Sequence, residues 1–101
     1  VDRPTLYICT RCDGGERLYD DVRACRKERG LKDVFKVDDV SCLKCCDDAI
    51  AIEFSGKKRS TYTRINVRKK DAEHVVDAAV AYAGLQPGEE LRERDLPGDQ
   101  E

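Results

Sequence analysis

The chain has 101 residues, a formal net charge of −2, one histidine, no methionine or tryptophan, and six cysteines. That length points to one domain with a modest core. The near-neutral balance excludes the strong basic face that nucleic-acid binders need, no apolar run is long enough to span a bilayer, and a lone histidine without a nucleophile–base pair or a phosphate loop excludes a hydrolase or kinase.

In chain order, Thr5 to Cys9 (TLYIC) predicts a short β-strand, with Pro4 tolerated at its start. CDGG, Cys12 to Gly15, is a turn. Glu16 to Arg29 predicts a helix, because Leu18, Val22 and Cys25 recur on one helical face and Gly30 follows a basic last turn. Val34 to Val37 (VFKV) predicts a second strand. After the cysteine segment, Ala49 to Phe54 (AIAIEF) is nearly all apolar, the pattern of a central strand. Ser60 to Val67 alternates, with Thr61, Thr63, Ile65 and Val67 on one side, and the short Gly56-containing loop before it predicts a β-hairpin. Asp71 then caps a last helix whose stripe is Ala72, Val75, Val76, Ala79, Val80 and Ala83, stopped by Gly84 and Pro87.

These elements give residues 1–86 as an α/β domain and 87–101 as a charged C-terminal tail, either mobile or docked as a strap by Leu91 and Leu96. From Glu89 onward the tail holds six acids and two arginines, a net −4, leaving the rest at +2. The β-α-β-β-β-α order is that of the thioredoxin-like fold, expected as a small mixed sheet with a helix on each face.

The cysteines are clustered: Cys9 and Cys12, then Cys42, Cys45 and Cys46, with Cys25 alone between them. The first group follows the first strand and the second precedes the third. If the first two strands are parallel, both groups meet at one end of the sheet. A C-x2-C pair places two thiolates on one ion or cluster edge without backbone strain. Four soft thiolates select zinc or an iron–sulfur cluster. Spacing leaves open whether Cys45 or Cys46 pairs with Cys42. Cys25 shares a face with Leu18 and Val22 and is expected to pack as a small hydrophobe. His74 falls off the apolar stripe and is expected at the surface. Asp38, Asp39, Asp47 and Asp48 bracket the cysteine segment, either as turn formers or as an acidic rim that steers a basic partner.

Cys9-Thr10-Arg11-Cys12, the run Cys42-Leu43-Lys44-Cys45-Cys46, Thr61-Tyr62 and Arg92-Glu93-Arg94 together resemble the thioredoxin-like [2Fe–2S] ferredoxins. They are most similar to the small metal-binding relatives of that superfamily, some encoded with cobalamin-synthesis genes. The resemblance implies that Cys9, Cys12, Cys42 and Cys46 bind the cluster, with Cys45 as alternate ligand. It implies a one-electron carrier rather than an enzyme, with a redox protein docking over the cysteine loop and a possible homodimer. Ile8, Val40, Leu43 and Ile50 would then form the apolar shell that tunes the potential. The start VDRPTLYIC has no secretory pattern, so the expected compartment is the cytoplasm.

Two other readings come from the same residues. CTRCDGG resembles a zinc knuckle, which makes a four-cysteine zinc or metal-delivery protein the alternative. A dithiol oxidoreductase using Cys9 and Cys12, placed where thioredoxins keep their reactive pair, is the less favoured reading. Thioredoxins have a cis-proline before the third strand, and the only prolines here are Pro4, Pro87 and Pro97.

Overall fold

The computed structural model describes residues 3–11, 14–40, 50–56, 60–86 and 88–100. Its elements are β1 (Thr5–Cys9), α1 (Gly15–Glu28), β2 (Lys36–Val40), β3 (Ile50–Ser55), β4 (Tyr62–Val67), α2 (Ala72–Ala83) and β5 (Asp99–Gln100), with 3-10 turns at Lys69–Asp71 and Glu93–Asp95. The strands form one mixed sheet in the order β2-β1-β3-β4-β5. β1 runs parallel to β2, while β3 is antiparallel to both β1 and β4. The fold is therefore α/β with the expected thioredoxin-like order, extended by a fifth short strand from the C-terminal segment. No helix among the described residues is long and apolar enough to cross a membrane.

The sheet has one apolar face. Leu6, Ile8, Ile52 and Phe54 face each other in register across β1 and β3, and all are buried. Thr5, Tyr7, Glu53, Ser55 and Thr63 are only half-buried and alternate with them onto the other face. This asymmetry decides where the helices go. They were expected one on each face. Instead α1 and α2 pack against each other on the same side, joined at the rim by an Arg29–Asp77 ion pair of 2.5 Å. A helix laid on the more polar face would bury its stripe against groups that need water, so both stripes share the Leu6–Phe54 side.

α1 buries Leu18 and Val22, one turn apart, and Cys25 continues the face half-buried against the core. The helix stops at Gly30, whose φ of 68° is cheap only for glycine. The Gly30 N–H donates to Lys27 O and the Leu31 N–H to Arg26 O, which satisfies two orphan carbonyls of the last turn. In α2 the buried set is Ala72, Val75, Val76, Ala78, Ala79 and Tyr82. Val80, assigned to the stripe by periodicity, is 37% exposed. Tyr82 shifts the stripe: its ring lies 5.7 Å from Phe54 and 5.8 Å edge-on from Tyr62, and its hydroxyl donates to Ser60 O at 2.7 Å. Asp71 does not cap α2 with its side chain. Its carboxylate accepts from the Arg68 N–H at 3.0 Å, closing the turn before the helix.

A β-bulge interrupts β4. Ile50 pairs with Val67 but Ile52 with Arg64, so β4 carries one extra residue. Asn66 absorbs it at φ 59°, in the left-handed region that Asn tolerates. The bulge reverses the alternation. Val67 joins the buried set, while Thr63 and Ile65 stay half-buried.

The C-terminal segment lies on this strand. Leu96 is buried and Leu91 half-buried against the core. Arg64, only 2% exposed, donates through Nε to Pro97 O and through Nη2 to Gly98 O, both at 2.9 Å. The Leu91 N–H donates to the Tyr62 hydroxyl at 3.0 Å, and the Asn66 amide to Asp99 at 2.9 Å.

Candidate metal centre

Cys9 ends β1 and is fully buried, 0% exposed. Its register partner across the parallel ladder is Val40, the last residue of β2. The Thr10 N–H prolongs the ladder by donating to Val40 O at 3.0 Å. β3 runs back antiparallel to β1, so its first residue, Ile50, lies at the same end of the sheet. The chain therefore enters residues 10–14 and enters and leaves residues 41–49 at one sheet end. This is the geometry that the parallel condition on the first two strands required.

The N-terminus of α1 arrives there as well. Gly14, at φ 85°, turns the chain into the helix, and its carbonyl accepts the first helical bond from the Leu18 N–H at 3.0 Å. Gly15 permits a close approach: a Cβ at that position would lie 2.1 Å from Cys9 O and 3.0 Å from Thr10 Cα. The helix start is thus pressed onto the end of β1.

Of the candidate ligands, Cys9 stands at this end; Cys12, Cys42, Cys45 and Cys46 lie outside the described residues, as does Leu43. Among the described residues no group of three or more His, Cys, Asp or Glu side chains could hold a metal. Of the expected apolar shell, Ile8 and Ile50 are buried and Val40 half-buried. A fully buried cysteine at the strand end, its backbone pressed against a helix start, supplies a soft thiol ligand at the point where both cysteine groups leave the sheet. Cys25 does not belong to the set. It lies ten residues along α1 from Gly15, about 15 Å at the helical rise, and packs on the core. His74 is exposed on the first turn of α2.

Asp38 and Asp39 differ from expectation. They are exposed residues within β2, opposite Tyr7 and Ile8, rather than part of a loop. β2 is the sheet edge, where a charged pair blunts unwanted strand addition. Asp47 and Asp48 lie outside the described residues. In the sequence Gly14 and Gly15 are turn glycines whose N–H groups could donate to sulfur; the structure adds the seat of Gly15 on the end of β1. The signal was in CDGG, where only the second glycine must bring helix and strand backbones into contact.

No curated protein and no solved structure shows significant similarity to the chain. The model of the family described as "Protein of unknown function (DUF1636)" matches residues 6–98, from the core of β1 to the glycine seated on β4, and the chain belongs to that family.

Proposed function

We propose that this protein is a one-electron carrier that holds a [2Fe–2S] cluster through Cys9, Cys12, Cys42 and Cys46. The supporting observation is the parallel pairing of β1 with β2, with Cys9 opposite Val40. Cys12 follows Cys9 by three residues and Cys42 follows Val40 by two, so the chain carries both cysteine groups away from one point of the sheet. The cluster, when bound, supplies a site that takes up and releases a single electron. The protein's part is to hold four thiolates, keep water away with Ile8 and Ile50, and direct the helix-start N–H groups toward sulfur. Those donors and that dryness act on the potential in opposite directions. No side chain makes or breaks a bond. A partner redox protein would dock over the cysteine segment through a small, short-lived interface.

Zinc is the second reading, favoured by Gly14 in the left-handed turn two residues after Cys12. Anaerobic purification separates the two. The cluster protein is red-brown, contains iron and sulfide, and bleaches with dithionite. A colourless protein with one zinc per chain rejects electron transfer in favour of a structural or delivery role. Cys46→Ser should abolish or shift the visible spectrum and Cys45→Ser should leave it nearly intact; the reverse result reassigns the ligand.

A further inference from the structure

At the far end of α1 from the thiols lies a cleft of about 290 Å³, lined by Asp20, Arg23, Ala24, Arg26, Lys27 and Lys32. Its charge is lopsided: four cations face one carboxylate. Among the described residues none of these five makes an ion pair; the two pairs present are Arg17–Asp21 and Arg29–Asp77. Surface cations are usually solvated and unremarked. Three observations set this group apart.

Arg26 is held: its Nη1 donates to Phe35 O at 2.9 Å, which orients the guanidinium plane. Its Nε is shielded from solvent and donates to no group among the described residues. Arg23 is also ordered, its guanidinium carbon 5.4 Å from the centre of the Tyr19 ring. The Lys32 backbone is pinned by Arg3, whose Nη1 donates to Lys32 O at 2.8 Å.

We infer that this cleft binds the phosphate or diphosphate group of a small molecule. Oriented guanidiniums suit phosphate oxygens because they offer parallel N–H donors, and the lysines add point charge. The volume is near the lower bound for a ligand site, roughly 300 Å³, which fits a headgroup rather than a whole cofactor. The negative end of α1 opposes an anion, but that is about half a charge against a net +3 from the side chains. The inference is independent of what the cysteines bind.

The test is an NMR titration of the purified ¹⁵N-labelled protein with inorganic pyrophosphate, against sodium chloride at equal ionic strength, with calorimetry alongside. The backbone amide signals of residues 20–32 should shift saturably with pyrophosphate and not with chloride. The double variant Arg23→Gln/Lys27→Gln, both exposed positions, should weaken binding at least about tenfold, the loss of charge-assisted hydrogen bonds. Asp20→Asn should tighten it. A shift that chloride reproduces, no saturable shift or heat, or undiminished affinity in the double variant and in Lys32→Gln each overturns the assignment.

Discussion

Substituting Gly15 sets two forces against each other at one atom. Glycine to alanine in a helix ordinarily stabilises, by up to about 1 kcal/mol, because the unfolded chain loses freedom and the helix gains propensity. Here the new Cβ would sit 2.1 Å from Cys9 O, 3.1 Å from Cys9 C and 3.0 Å from Thr10 Cα. Those atoms are backbone, held by the ladder to Val40 and by the Thr10 bond, so they cannot rotate aside. Relief requires the start of α1 to withdraw by roughly 1 Å, and overpacking of this kind costs about 1–3 kcal/mol or more. The clash wins, and Gly15→Ala should lose about 2 kcal/mol. For a domain of this size that is a melting temperature lower by roughly 8–15 °C. Gly84→Ala is the matched control. Its Cβ would meet only Ala81 O at 3.6 Å and Val80 O at 3.7 Å, so it should be neutral or stabilising by about 0.5 kcal/mol. Thermal unfolding followed by circular dichroism, at equal metal content, compares the two. If Gly15→Ala melts at or above the parent, the tight seat of α1 on β1 is wrong, and with it the approach of the helix start to Cys9.

Gly98→Ala should release the C-terminal strap. Its φ is 68° and a Cβ would lie 2.3 Å from Ile65 O, so limited proteolysis should cut within residues 88–100 faster than in the parent. Tyr82→Phe keeps the ring contacts with Phe54 and Tyr62 but removes the hydrogen bond to Ser60 O, and should cost about 1 kcal/mol in urea unfolding. Cys25→Ala should lose about 1 kcal/mol of packing on the core while iron or zinc content, read by elemental analysis, stays unchanged.

Local signals located most of the elements. β1 was legible to the residue and both helices to within a residue of their ends, because alternation, periodicity and glycine stops agreed. β2 was displaced. Val34 and Phe35 look like its centre, yet the strand is Lys36–Val40, since pairing with β1 sets the register and an edge strand can carry Asp38 and Asp39 into water. The bulge at Asn66 was invisible to alternation, which assumes an unbroken period of two. Nothing in the local pattern singles out Arg64. It is buried because the carbonyls of Pro97 and Gly98, more than thirty residues on, supply its acceptors. Helix placement failed similarly: the α1 stripe was read correctly and the α2 stripe in part, with Val80 in place of Tyr82, but which sheet face would receive them depends on both faces at once. At the candidate site, the meeting of the two cysteine groups was legible only on the condition that the first two strands are parallel, which their pairing meets, while the place of Cys25 on the core followed from periodicity. Spacing could not choose between Cys45 and Cys46, because either reaches Cys42 along a short stretch of backbone.

β5 and Leu96 cover the flank of β4 that would otherwise end the sheet. During vectorial synthesis a nascent chain extended only to about residue 90 has β1 to β4 in hand but presents that flank bare, with its row of amide and carbonyl groups open to a neighbour. Ribosome stalling or proteolytic trimming in this stretch should therefore yield sticky, edge-joining fragments rather than a slightly shorter monomer.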